Sequence, residues 1–197
     1  KRLNVRQIST GDIFRKKIND GSDIGNKAKA YVEKGELVPD EIVVAMVKER
    51  LQESDTQNRF ILDGFPRTKA QAEALEKCLS ELGITLDIVL DFEASEEIIV
   101  KRLSGRRVCK TCGATYHVKN MPPKQDGVCD KCGGELIQRK DDQEDTIRNR
   151  IEVYNNTATP LKEYYKEKAL LHIVDASVDY ETVDKELDIF FKDKFDI

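Results

Sequence analysis

No stretch of this 197-residue chain approaches the ~18 consecutive apolar residues that a membrane-crossing helix requires. No apolar h-region opens it, so no secretory leader is visible. An excess of positive charge is also missing: 33 Lys and Arg stand against 37 Asp and Glu, a formal −4. General nucleic-acid binders are normally basic overall, so that class is disfavoured, although a local basic pocket is compatible with the balance. Histidine is scarce. The two present, His117 and His172, fall in no nucleophile motif, and His172 reads as a structural residue inside a strand. No internal repeat or low-complexity segment is visible.

What is present fits a soluble globular protein, with 39% apolar and 36% charged residues in a length able to bury one core with insertions. Strand signals alternate with helix signals, the pattern of an α/β fold with a parallel sheet wrapped by helices. Arg6 to Ile8 reads as the end of a short strand. Helices are expected from about Gly11 to Asn19, and from Asp23, as N-cap, to Lys34, where Gly35 stops the chain. After Pro39-Asp40, apolar residues from Ile42 to Leu51 recur at helical spacing. Arg59 to Asp63 is a strand expected to be buried. Thr68-x2-Gln71 is a capping box opening a helix that ends at Gly83. Cys78 lies on that helix and reads as a buried apolar residue. Leu86 to Phe92 is a second buried strand, and Ser95 caps a helix to about Leu103. Residues 105–138 break the rhythm, with four Cys, Pro122-Pro123 and five glycines, and read as a small inserted domain. A long helix resumes at Asp142 and is expected to weaken near Thr157 to Pro160. Leu171 to Val174 is the last strand and residues 180–194 the closing helix.

Within the insertion, Cys109-x2-Cys112 and Cys129-x2-Cys132 are separated by 16 residues. Two residues between cysteines let both thiolates point at one ion, and Gly113 and Gly133 permit the turn that frees backbone amides for the sulfurs. Four thiolates complete a tetrahedral zinc site and leave no position for substrate, which makes the metal structural. A redox pair, disulfides or an iron–sulfur cluster are the alternatives. In a chain without a leader, the five cysteines read as thiols of a reducing, cytoplasmic compartment. Asp63 and Arg67 should stand at the C-terminal mouth of their strand, where open α/β sheets bind ligands. The several arginines near the motifs suggest phosphate, to which a guanidinium donates two parallel hydrogen bonds.

Five motifs in order carry a resemblance: Ser9-Thr10-Gly11-Asp12-x2-Arg15, Gly35-x-Leu37-Val38-x-Asp40, Asp63-Gly64-Phe65-Pro66-Arg67-x3-Gln71, Gly105-Arg106-Arg107 and Arg139-Lys140-Asp141-Asp142. From about residue 6 to the C-terminus the chain resembles the adenylate kinases, in the long bacterial form whose lid carries a zinc knuckle. The resemblance implies a nucleoside monophosphate kinase-like core of residues 1–104 and 139–197. Within it lie an AMP-binding segment, 9–38, and a zinc-bearing lid, 105–138. It implies reversible transfer of the terminal phosphoryl of Mg-ATP to AMP by a cytoplasmic monomer with no nucleic-acid or membrane partner. Arg15 and Arg67 would clamp the AMP phosphate, and Thr10, Leu37, Val38, Gly64 and Gln71 would form the AMP pocket. For Gln71, the capping role competes. Arg102 would stack on the ATP adenine, with Tyr116 and His117 as further ATP contacts. Arg106, Arg139 and Arg150 would close on the transferring phosphates, and the last two would also reach AMP. Asp63 would hold magnesium waters, while Asp141 and Asp142 would orient arginines.

One departure stands out. The family begins with a strand, a Gly-rich phosphate loop with its Lys, and a helix, roughly 20 to 25 residues. No G-x4-G-K-[ST] pattern occurs in the sequence, and Lys1 to Asn4 resemble only the tail of that helix. The sequence is therefore expected to be an incomplete record of an ordinary enzyme, or a truncated chain with little activity. Other readings are a different nucleoside monophosphate kinase, an inactive nucleotide-binding remnant, and a zinc-ribbon nucleic-acid-binding protein.

Overall fold

The computed structural model describes residues 5–56 and 59–195; Lys1 to Asn4, read as a helix tail, lie outside the described residues. The chain divides into two compact units, one of residues 1–86 and 140–164, the other of residues 87–139 and 165–197.

In the first unit β1 (Arg6–Ser9) runs parallel to β2 (Phe60–Asp63), with Arg6 opposite Phe60 and Ser9 opposite Asp63. Parallel neighbours need a long crossover, and three helices supply it: α1 (Thr10–Asn19), α2 (Asp23–Lys34) and α3 (Asp40–Leu51). The N-cap of α2 is Ser22 rather than Asp23. The Ser22 hydroxyl accepts from the Gly25 amide at 3.2 Å and donates to the Lys17 carbonyl at 2.9 Å. A carboxylate cannot make that second bond. Gly35 ends α2 as expected, in the left-handed region at φ 75°.

Phe14, Ala28, Val43, Met46, Val47 and Leu51 form the core with Leu75, Cys78 and Leu79 of α4 (Lys69–Glu81), so Cys78 is buried as expected. Thr68 caps α4 by accepting the Gln71 amide at 3.1 Å. The expected box closes one residue early, because Gln71 Oε1 accepts the amide of Arg67, not that of Thr68. Leu86 packs with Ile84 against this core instead of opening a strand. A short 3₁₀ turn, Lys140–Asp142, leads into α6 (Glu144–Glu167). That helix runs through Pro160 without the expected break. Ala158 and Ile147 are buried along it, and such packing offsets the hydrogen bond a helical proline forfeits.

At Gly25 the backbones of α1 and α2 come so close that an added Cβ would overlap the Lys17 carbonyl of α1. Gly25→Ala should therefore cost about 2–3 kcal/mol by forcing α1 and α2 apart. For a chain of this size that lowers Tm by roughly 4–12 °C. A thermal melt unchanged from the parent would show that the crossing has slack the packing does not suggest.

In the second unit β3 (Val89–Glu93) runs parallel to β7 (Leu171–Asp175), pairing Val89 with Leu171 and Glu93 with Asp175. Ser95 caps α5 (Glu96–Ser104) by accepting the Ile98 amide. The insertion forms an antiparallel sheet of β4 (Arg106–Cys109), β5 (Thr115–His117) and β6 (Leu136–Ile137), in the order β5-β4-β6. In α7 (Tyr180–Phe195), Phe190 stacks on His172 at 3.9 Å, a structural setting for that histidine.

The strands expected to be buried are only half so. Ile61, Phe92 and Ile173 are about half exposed, whereas Phe60 and Leu62 pack on the core. Successive strand side chains point to opposite faces, and in β2 only one face meets its unit's core.

Candidate active site and metal centre

The C-terminal ends of β1 and β2 bring Thr10, Gly11, Asp63 and Gly64 together. Thr10 Oγ1 donates to the Gly64 carbonyl at 3.0 Å, and Arg67 Nε donates to the same oxygen at 2.8 Å. Gly64 adopts φ 71°, and a Cβ there would meet Arg67 Nη2 at 2.9 Å and Thr10 Oγ1 at 3.4 Å. Likewise a Cβ on Gly11 would meet Arg15 Nη2 at 3.0 Å. The two guanidiniums thus lie over bare backbone, which glycine alone allows. Asp12 pairs with Arg15, and Gln7 Nε2 donates to Asp63 Oδ2 at 2.9 Å.

Burial, and next the Arg150 charge, push the Arg67 guanidinium below its ordinary value; Arg15 adds to the push, while Asp63 and Asp141 oppose it. Arg67 keeps an open side to water, so its withdrawal from solvent is partial, and the convergence of three cations is the firmer feature. Like charges crowded in this way favour an anion between them.

Arg150 reaches this cluster from α6. Its Nη1 lies 3.4 Å from Asp141 Oδ2 and 3.8 Å from Asp142 Oδ1, and Asp142 is fully buried. The arginine stem passes across Gly35, where a Cβ would come within 2.5 Å of Arg150 Cγ. Asn149 Nδ2 donates to the Lys34 carbonyl at 2.7 Å, and Lys140 pairs with Glu33 at 3.0 Å. The end of α2 and the start of α6 are therefore joined by contacts that also aim Arg150.

Gln71 is buried, and both ends of its amide are engaged. Oε1 accepts from the Arg67 amide at 2.8 Å and Nε2 donates to Asp40 Oδ1 at 2.6 Å. Asp40 Oδ2 accepts from Thr68 Oγ1 at 3.0 Å, so one carboxylate joins the starts of α3 and α4 beneath the Arg67 turn. Pro39-Asp40 reads only as a helix start, and the sequence carries no signal for this second task. Val38 belongs to the core and Leu37 is half-buried beside it.

In the second unit the Arg102 guanidinium is held by the carbonyls of Ala176 and Val178, the latter at 2.7 Å from Nη2. Arg106 opens β4 opposite His117, and Arg139 follows β6. The Tyr116 side chain is buried, and its backbone pairs with Arg107 of β4. The Tyr116 hydroxyl lies 3.5 Å from Cys129 Sγ and accepts the Asp130 amide at 2.9 Å.

Cys109, Cys112, Cys129 and Cys132 present four sulfurs that all lie within 4.8 Å of one another. A tetrahedron of thiolates at about 2.3 Å from zinc needs sulfurs roughly 3.8 Å apart, so the set fits. The two knuckles repeat one hydrogen-bond pattern. Cys109 N donates to Ala114 O and Gly113 N to Cys109 O; Cys129 N donates to Gly134 O and Gly133 N to Cys129 O. Gly113 and Gly133 take φ 72° and 71° to allow it. The Tyr116 hydroxyl, with the Lys131 and Cys132 amides, pulls the Cys129 thiol down to about 6 against the effect of burial. That favours the thiolate a metal requires.

The family profile described as adenylate kinase matches residues 1–170. An adenylate kinase of Archaeoglobus fulgidus is 52% identical over 187 residues, covering 95% of this chain and 86% of that protein. One from Carboxydothermus hydrogenoformans is 54% identical over 183 residues, 93% of this chain and 86% of its own length. A third, from Caldicellulosiruptor bescii, is 52% identical over 187 residues, 95% and 87% respectively. With three guanidiniums gathered at the mouth of β1 and β2, and identity of this extent, the chain belongs to the adenylate kinase family.

Proposed function

We propose that the protein transfers the terminal phosphoryl group of Mg-ATP to AMP, reversibly, giving two ADP. The observation that carries this reading is the gathering of three cations, Arg15 over Gly11, Arg67 over Gly64 and Arg150 across Gly35, with Arg15 and Arg150 both acting on Arg67. Phosphoryl transfer spreads negative charge over several oxygens and asks little covalent chemistry of the protein, so fixed cations are the main catalytic need. Arg15 and Arg67 clamp the AMP phosphate. Arg150, aimed by Asp141 and Asp142, joins Arg106 and Arg139 on the transferring group. Thr10, Gly64, Leu37 and Val38 line the AMP pocket. Gln71 serves it by holding the Arg67 turn and has an adenine contact as its second task. Arg102 offers a flat face to the ATP adenine, with Tyr116 and His117 nearby in the chain. Magnesium arrives with ATP and keeps most of its waters, Asp63 holding them.

Residues 105–138 form a lid on a core of 1–104 and 139–197, with residues 9–38 as the AMP segment. Four thiolates hold a structural zinc in that lid, because so small a segment buries too little apolar area to keep its shape unaided. The protein works as a cytoplasmic monomer. No helix among the described residues is long and apolar enough to cross a membrane.

Coupled assays of the whole protein with AMP, CMP, UMP and GMP test the reading. AMP should give the highest kcat/KM with Mg-ATP as donor. A clear preference for another monophosphate would replace the substrate, and no transfer to any of them would sink the reaction.

A further inference from the structure

The imidazole of His117 is tied at both nitrogens. The amides of Lys119 and Asn120 each reach Nδ1 at 3.1 Å, and Nε2 lies 3.2 Å from the Lys101 carbonyl in the last turn of α5. Two donors on Nδ1 require its lone pair, so the ring is neutral there and its proton belongs on Nε2, donated to Lys101. The backbone around it is equally committed. His117 N donates to Met121 O at 2.9 Å, and Val118 N to Gly105 O at 3.0 Å. The ring packs so closely on Gly105 that a Cβ there would overlap it. Opposite His117 on β4 stands Arg106. Other contacts close the same joint: Arg107 Nη1 and Gln138 Nε2 both donate to the Ser104 carbonyl, at 3.1 and 3.0 Å.

We propose that His117, held as the Nε2-protonated tautomer, is a positioning residue that pins β5 to the last turn of α5 and thereby fixes where Arg106 points. Its ring edges are used up in this task, and only a ring face is left for a base. The role of Arg106 on phosphate rests on the function proposed above; the tautomer and the joint do not. The Lys101 carbonyl already accepts the Gly105 amide at 3.3 Å and takes the His117 ring as a second donor, while the Ser104 carbonyl, past the reach of intrahelical amides, takes its donors from Arg107 and Gln138. Arg106 follows Gly105 directly, so freedom at this joint is transmitted to its guanidinium.

Two substitutions separate the halves of the device. His117→Asn places an oxygen near the Nδ1 position and keeps an acceptor for the two amides, but loses Lys101. His117→Gln reaches the Nε2 position and keeps a donor to Lys101, but loses the amides. Hydrogen exchange in the whole protein should show Lys119 and Asn120 protection retained in the Asn variant and reduced about three- to tenfold in the Gln variant. Turnover should fall by a similar ~3–10-fold factor in the Asn variant, with KM for AMP unchanged, and less in the Gln variant. Long-range ¹⁵N–¹H spectra of the parent should show the proton on Nε2, a readout that needs neither a variant nor activity. A proton on Nδ1, or Asn and Gln variants alike in both exchange and turnover, overturns the proposal. The expected tautomer and exchange in a protein that transfers nothing to AMP would instead fault the functional reading alone.

Discussion

An Arg67→Ala protein is expected to use AMP about 30- to 1,000-fold less efficiently in kcat/KM while its affinity for ATP changes little. The range corresponds to losing one charge-assisted contact of roughly 2–4 kcal/mol. Direction and selectivity follow from placement. Arg67 leans on the Gly64 carbonyl at the mouth of β2, beside Arg15 and Arg150, and its backbone is held by Gln71. The phosphate it meets is already charged in the ground state, so KM for AMP should carry much of the loss. Two cations stay behind, which is why activity should fall and not vanish. Removing Arg67 also relieves repulsion on Arg15 and Arg150, so thermal stability without ligand should hold or rise slightly. Steady-state kinetics with each substrate varied in turn give the answer. Both AMP constants within twofold of the parent would end the clamp assignment.

The second large effect concerns the cysteines. Purified protein should contain one zinc per chain, and Cys129→Ser should lose most of it together with several degrees of Tm. Cys129 is the natural choice because it is buried, is approached by the Tyr116 hydroxyl and belongs to a knuckle that supplies two of the four sulfurs. Serine offers a hydroxyl that is a far weaker metal ligand than a thiolate, and the remaining three cannot close the tetrahedron. Turnover at low temperature should suffer less than stability, since all four positions on the ion are filled by protein and none is left for substrate. Metal analysis and melting curves of parent and variant decide it. Full zinc occupancy in the variant, or a parent purified without metal, would sink the assignment.

The difference between what was and was not legible in the sequence follows the range of the interactions involved. Helix bounds were readable to within a residue or two because caps are local: Ser95, Thr68 and Gly35 act on amides or carbonyls three or four positions away. The cysteine knuckles were readable for the same reason, each holding two thiols spaced by two residues. Arg15 and Arg67 stood out only through the motifs around them, since an arginine on a helix or turn is ordinarily solvated. Contacts between distant segments left no mark. Asp40 meets Thr68 and Gln71 across 28 and 31 residues, and nothing in Pro39-Asp40 announces it. Nor does the motif announce that the Tyr116 hydroxyl reaches a cysteine 13 residues on. Pro160 misled because its local cost is real, but the packing along α6 outweighs it. The half-exposed strands misled because an apolar run says nothing about which face a core will cover.

The repeated hydrogen bonding of the two cysteine knuckles has a consequence for chain entropy. Each knuckle closes its own turn through bonds spanning four or five residues, so each can form in an otherwise unfolded segment. What remains is to bring the turns together across the 16 residues between Cys112 and Cys129. An ion that bridges them acts as a cross-link on a loop of that length, for which restricting the unfolded chain is worth about 3 kcal/mol on the disulfide scale. Such a staple survives where glutathione would open a sulfur–sulfur bond, and it comes off when a chelator, not a reductant, is added. With the proposed zinc in place, the shape of the inserted segment would be tied to metal supply rather than to redox conditions.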